Sequence, residues 1–160
     1  MAKATFAAGC FWGVEAAFRQ VDGVLATRVG YICGDTDNPN YKDVSTERTG
    51  HAEAVEVEFD PASATFEDLL TVFWENHDPT QLNRQGPDTG YQYRSAIFYH
   101  DDDQRNTAIA SKIKLERGDT HKQSVVTEIV PAITFWEAEE YHQQYLEKRG
   151  LSTCKLSQSS

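Results

Sequence analysis

The chain has 160 residues with 25 acidic and 15 basic side chains, a formal net charge of −10, and 39% of its residues are hydrophobic. A chain of this length reads as one soluble globular domain, residues 1–160, whose 8 Phe, 7 Tyr and 3 Trp supply a core and a pocket without help from a metal or a disulfide. The acidic balance repels phosphate backbones and anionic lipid, which argues against a nucleic-acid or membrane-surface protein.

A short strand is expected around Thr5 to Ala7, stopped by Gly9. Phe11, Val14, Ala17, Phe18 and Val21 then recur at helical spacing up to Asp22-Gly23, which puts Cys10 at a helix N-terminus. Val24 to Ile32 reads as a strand and Gly34 to Gly50 as a long polar loop carrying Asn38-Pro39 and Tyr41. From Glu53 to Phe59 the sequence alternates, with Glu53, Val55, Val57 and Phe59 on one parity, so a carboxylate falls on the apolar side. Thr65-Phe66-Glu67-Asp68 starts a helix whose Phe66, Leu69, Leu70, Phe73, Trp74 and His77 form a buried stripe. A second long loop runs from Asp78 to Gly90. Tyr91 to Tyr99 reads as a strand, Asp103 to Arg117 as a helix and Val125 to Val130 as a strand, and Thr134-Phe135-Trp136-Glu137 reads as the cap of a final helix ending before Gly150. The ending from Gly150 to Ser160 is small and polar, and is expected to be a mobile tail. The order predicts an α+β fold, a mixed sheet covered by helices in a two-layer sandwich with long functional loops.

The N-terminus does not read as a secretory signal, and no stretch approaches membrane-spanning length. Three cysteines, Cys10, Cys33 and Cys154, contain no C-x-x-C pair and fit neither a secreted disulfide framework nor a zinc site. The expectation is a cytoplasmic protein with free thiols and no metal. Cys10 faces the positive end of a helix, which stabilises a thiolate; the alternative is a small buried hydrophobe. Glu53 on an apolar parity would be desolvated and keep its proton, making it a candidate general acid. By its position alone it reads as a solvated strand end, and a buried ion pair with Arg28 or Arg94 is a further alternative. Tyr41, Tyr91, Tyr93 and Asp88 lie in or beside the long loops, where phenols can donate hydrogen bonds and wall a pocket. Phe11 and Trp12 cannot both face the core stripe of their helix, so one lines a pocket. His51 and His77 read as structural hydrogen bonders.

The run Gly9-Cys10-Phe11-Trp12-Gly13-Val14-Glu15 resembles the GCFWG signature of the A-type peptide methionine sulfoxide reductases. The resemblance continues through Gly30-Tyr31, Asn38-Pro39-Asn40-Tyr41, Gly50 to Val55, His77-Asp78-Pro79-Thr80, Asn83-Arg84-Gln85-Gly86 and Tyr93 to Phe98, in order, over about nine-tenths of the chain. It implies a ferredoxin-like core and reduction of the S epimer of methionine sulfoxide, free or in peptides and proteins. It further implies Cys10 as nucleophile, Glu53 as acid, Tyr41 and Tyr93 as phenol donors, Asp88 in a supporting polar network, and Phe11 and Trp12 as walls around the substrate's methyl group. A Cys10 sulfenic acid would then be resolved by Cys154, and the disulfide reduced by thioredoxin, or by dithiothreitol, with no bound cofactor. The tail departs from the family in carrying no cysteine beyond Cys154. Cys33 stands where a small residue is expected; it reads as an inert packed thiol, with a resolving role as the alternative. A cysteine hydrolase and a non-catalytic binding domain are the competing readings, and a monomer is expected.

Overall fold

The structure, a computed structural model, describes residues 2–34, 39–45, 50–86, 88–118 and 125–145. β1 (Ala2–Ala8) ends at Gly9, and α1 (Phe11–Arg19) follows, burying Phe11, Val14 and Phe18 on one stripe. β2 (Val24–Ile32) leads to a short α2 (Tyr41–Ser45), so the expected loop between Gly34 and Gly50 contains one helical turn starting at Tyr41. β3 (Ala52–Phe59) is followed by α3 (Phe66–Glu75). The N-terminus of α3 is a reciprocal cap: Asp68 N–H donates to Thr65 Oγ1 at 3.1 Å and Thr65 N–H to Asp68 Oδ2 at 2.9 Å. β4 (Arg84–Gln85) and β5 (Asp88–Thr89) form a small hairpin. β6 (Ser95–Tyr99), α4 (Asp102–Arg117), β7 (Glu128–Pro131) and β8 (Phe135–Glu137) follow among the described residues, with 3-10 turns at Tyr91–Tyr93 and Glu140–His142.

The main sheet has the order β7-β6-β1-β3-β2-β8. Its inner four strands are antiparallel throughout, with α1 and α3 as crossovers, the split βαβ arrangement. β7 adds to β6 in parallel and β8 adds to β2 antiparallel, so the sheet is mixed. Helices α1, α3 and α4 cover one face. There Val55, Val57 and Phe59 of β3 join Phe6, Phe18 and Phe73, whose rings lie 5.0 Å (Phe6 to Phe18) and 5.3 Å (Phe6 to Phe73) apart. The other face carries a smaller cluster of Ala7, Ile32, Ala52, Ala54, Ala96 and Phe98. The α+β class and the alternation of β3 therefore agree with the sequence. No helix among the described residues is long and apolar enough to cross a membrane.

Two expected elements are corrected. Tyr91 to Tyr93 is a 3-10 turn rather than the start of a strand, and β6 begins at Ser95. The segment Thr134-Phe135-Trp136-Glu137 is not a helix cap: residues 135–137 are an edge strand pairing Phe135 with Ile32, Trp136 with Tyr31 and Glu137 with Gly30. Two adjacent aromatic side chains favour a pleated edge, and Phe135 is further held under the Arg28 guanidinium, 4.8 Å from its ring centre. Gly30 admits this strand, since a Cβ there would meet the Trp136 carbonyl oxygen at 2.3 Å.

Candidate active site

Gly9 turns with φ +96°, and a Cβ at this position would lie 2.8 Å from Cβ of Gln85. Only glycine both makes this turn and lets the β4–β5 hairpin approach the start of α1. Gln85 is itself fixed, accepting from Asp78 N–H at 2.8 Å and donating to Asp78 O at 2.9 Å. Cys10 is the N-cap residue of α1, where the N–H groups of Trp12 and Gly13 favour its thiolate. Burial and the neighbouring Glu53 carboxylate outweigh them, and the thiol is pushed up to about 12. Of the two alternatives for Cys10, burial weighs against the free thiolate, since two N–H donors return less than desolvation costs the anion.

Glu53 lies on the helix-covered face of β3, opposite Tyr31 of β2, and is 1% exposed. Its Oε1 accepts the Phe11 N–H at 3.3 Å, while its Oε2, also buried, has no hydrogen-bond partner among the described residues. Desolvation raises its pKa to about 8; the Phe11 N–H opposes this and Asp88 adds to it. Neither arginine neutralises it, because Arg28 pairs with Glu56 at 2.8 Å and Arg94 with Glu128 at 3.4 Å. Asp88, in β5, is itself raised by burial. Burial, then the Glu53 charge, raises the Tyr93 phenol, which also hydrogen bonds to Tyr41.

Cys10 (with its neighbour Phe11), Tyr41, Glu53, Asp88 and Tyr93 are thus brought together from five separate places in the sequence, and burial favours the protonated form of both acid and thiol. Such a site holds neutral, polar substrates without an uncompensated charge. Phe11 is fully buried and Trp12 half-buried, so it is the indole that remains partly open. His51 and His77 are buried hydrogen bonders: His51 accepts from Gly34 N–H at 3.1 Å, and His77 Nε2 lies 2.7 Å from Ser95 Oγ. Cys33 is half-buried with φ 70° at the end of β2. Cys154 lies outside the described residues. No group of His, Cys, Asp and Glu among the described residues is arranged to hold a metal ion.

The sequence gives no local sign of a further set of residues on the segment 138–145. Glu139 accepts from the Tyr41 N–H at 3.1 Å and the Tyr31 hydroxyl at 3.0 Å, and these bonds hold its carboxyl below the usual range despite burial. His142 accepts from the Trp12 indole, and Tyr145 stacks on that indole with centroids 3.8 Å apart. The sequence pattern predicts a helix here, whereas residues 140–142 form a 3-10 turn, and nothing in a helical pattern distinguishes a site-facing histidine from a surface one.

A half-buried thiol at a helix start beside a buried carboxyl and two phenols, on an α+β sandwich, is equipment suited to a thiol-dependent oxidoreductase. The family model for peptide methionine sulfoxide reductase matches residues 2–160. Peptide methionine sulfoxide reductase MsrA of Methanothermobacter thermautotrophicus is 63% identical over 154 residues, 96% of this chain and 91% of that relative. The MsrA of Geobacter sulfurreducens is 60% identical over 153 residues, 96% of this chain and 94% of its own length. Among solved structures, Mxr1 from Saccharomyces cerevisiae in reduced form superposes with a TM-score of 0.85 at 38% identity, covering 96% of this chain and 88% of that one. A structure of Mxr1 in complex with Trx2 matches with a TM-score of 0.61 at 29% identity, covering 90% and 84%. The chain belongs to the peptide methionine sulfoxide reductase family, A type, and is an oxidoreductase that reduces methionine sulfoxide.

Proposed function

We propose that this enzyme reduces the S epimer of methionine sulfoxide, free or within peptides and proteins, through a sulfenic acid on Cys10. The observation that carries the reading is the Glu53 carboxyl: buried, its proton favoured by desolvation, with Oε2 lacking a hydrogen-bond partner among the described residues, and close enough to Cys10 to act on the thiol electrostatically. A sulfoxide sulfur is a poor electrophile until its oxygen is protonated. Glu53 gives its proton to that oxygen, with Tyr41 and Tyr93 donating hydrogen bonds to it and Asp88 helping to keep Glu53 protonated. The Cys10 thiol returns a proton to Glu53 as its sulfur bonds to the protonated sulfoxide's sulfur. In that adduct the hydroxyl passes from the substrate sulfur to the Cys10 sulfur, the substrate's S–O bond and the new S–S bond both break, and methionine leaves with the electron pair; Cys10, now a sulfenic acid, has lost two electrons and the substrate sulfur has gained them. Phe11 and Trp12 wall the methyl group and orient the sulfur.

Cys154, carried on the 150–160 tail, then attacks the sulfenic sulfur, water leaves, and a Cys10–Cys154 disulfide forms. Thioredoxin supplies the two electrons that reopen it, a reading supported by the complex of the related Mxr1 with Trx2. Dithiothreitol substitutes, and no bound cofactor takes part. Residues 1–160 act as a single catalytic unit, a cytoplasmic monomer in this reading, with Cys33 as an inert thiol.

The test mixes fully reduced protein with excess S or R sulfoxide and no reductant, and counts methionine formed and thiols lost per chain. About one methionine and two thiols, from the S epimer only, is the outcome the scheme requires. One thiol lost per methionine removes Cys154 from the cycle, and no methionine from either epimer overturns the reading.

A further inference from the structure

Among the described residues, His142 is the one fully buried histidine whose ring stands against both aromatic walls of the site. Its centroid lies 5.1 Å from Phe11, 5.5 Å from Trp12, 4.8 Å from Tyr41 and 4.0 Å from Tyr141. The Trp12 indole N–H donates to its Nδ1 at 2.8 Å. Indole nitrogen is a donor only, so Nδ1 is bare and the ring proton sits on Nε2. That Nε2–H is buried and has no partner among the described residues.

A ring chosen only to fill this space would be phenylalanine, which buries the same shape without stranding a donor. Histidine carries the cost of a buried, unsatisfied N–H, and what it gains in return is an acceptor for Trp12. Burial lowers its pKa more than Glu139 raises it, so the ring stays neutral and able to accept. The groups packed around it are Trp12 and Phe11 of α1, Tyr41 of α2, and Glu139 and Tyr141 of its own turn. The indole is thereby held at its edge by His142 and on its face by Tyr145, 3.8 Å away and 7° from parallel.

We propose that His142 is a positioning residue of the reductase site: by accepting the Trp12 indole N–H it fixes the wall against which the substrate's methyl group packs, and so sets the affinity for sulfoxide. The proposal rests on the reductase reading above. His142 touches no reacting atom; it acts through Trp12.

A double-mutant cycle tests it, with S sulfoxide and dithiothreitol, on His142→Phe, Trp12→Phe and the pair, together with His142→Asn, whose amide oxygen can replace Nδ1. His142→Phe lowers kcat/KM by about tenfold, the worth of one such hydrogen bond, and does so chiefly through KM. On a Trp12→Phe background the same change costs less than about twofold, because the bond is already gone. His142→Asn recovers most of the loss. In the unaltered protein, the Trp12 indole proton exchanges slowly with solvent by NMR, and this measurement decides alone if His142→Phe does not fold. Additive losses in the cycle, or an indole proton exchanging as fast as an exposed one, overturn the proposal while turnover by the unaltered enzyme leaves the reductase reading standing. An unaltered enzyme that yields no methionine removes that reading, and this proposal with it.

Discussion

Glu53 shows how one side chain's environment sets both chemistry and stability. Its Oε1 is held by the Phe11 N–H, and glutamine can keep that bond, so Glu53→Gln preserves shape while removing the transferable proton. Reductase kcat/KM falls by at least about a hundredfold in this variant, the usual worth of a general acid. In the unaltered enzyme the rate declines as pH rises through about 8, where Glu53 loses its proton, and a pH profile of kcat/KM from 6 to 10 reads the limb directly. Stability follows the same titration. The folded carboxyl holds its proton up to about 8, against an ordinary 4.5, so the folded state loses stability as pH rises through that window. Glu53→Gln is therefore the more stable protein at pH 9, by a few kcal/mol at about 1.4 kcal/mol per pKa unit, and equal urea midpoints for the two at pH 9 contradict this. The residue was legible in the sequence because a carboxylate on an apolar parity is conspicuous. The Cys10 protonation state was not, since the helix end is visible in sequence while the burial that outweighs it is a tertiary property.

At the scale of elements, what the sequence conveyed well were those whose signal is local. The Thr65 and Asp68 pair announces α3 and forms the reciprocal cap it suggests; Thr65→Ala loses that cap and about 1 kcal/mol in thermal or urea unfolding, with reductase activity retained. β8 illustrates the opposite case. A threonine followed three residues later by a glutamate imitates a helix start, yet the segment finds better use for Phe135 and Trp136 as partners of Ile32 and Tyr31. The deciding information sits a hundred residues away, in Gly30, whose missing side chain leaves room for the Trp136 carbonyl. Gly30→Ala places a methyl 2.3 Å from that oxygen and 2.6 Å from the Phe135 ring, forcing β8 outward. The expected result is a loss of roughly 1–3 kcal/mol in stability, as for other overpacked sites. KM rises as well, because β8 leads straight into the turn that carries Glu139 and His142. An alanine variant with the original urea midpoint and KM would show that β8 does not set the position of that turn.

For the molecule as a whole, the order and spacing of motifs made the family legible, while the closure of the chain upon itself was not. The segment 138–145 returns across β2 and α1 through side chain–backbone bonds that span more than a hundred residues and leave no periodic trace. Gln143 behaves as a short substitute strand: it accepts the Val29 N–H at 2.9 Å and donates to Val29 O at 2.9 Å and to Ala138 O at 3.0 Å. Gln144, at φ 49°, turns its N–H onto Glu15 Oε1 at 2.7 Å and its amide onto Glu15 Oε2 at 2.9 Å. Glu15 is 1% exposed on α1, and Oε2 also accepts the Thr27 hydroxyl at 2.7 Å. One carboxyl thus ties helix, sheet and returning segment together close to both sides of the indole stack: Trp12 precedes Glu15 by about one helical turn and Tyr145 follows Gln144 by one residue. Glu15→Ala removes an acceptor shared by three donors, of which the Thr27 hydroxyl is buried and the two of Gln144 are half-buried. The expected cost is roughly 3 kcal/mol in urea unfolding. Amide exchange at Gln144 and Tyr145 quickens in the same variant, and KM for sulfoxide rises because Tyr145 no longer covers the indole. A Glu15→Ala enzyme with unchanged exchange at these two amides would mean that the Gln143 bonds alone hold the segment, and that the carboxyl is incidental to the closure.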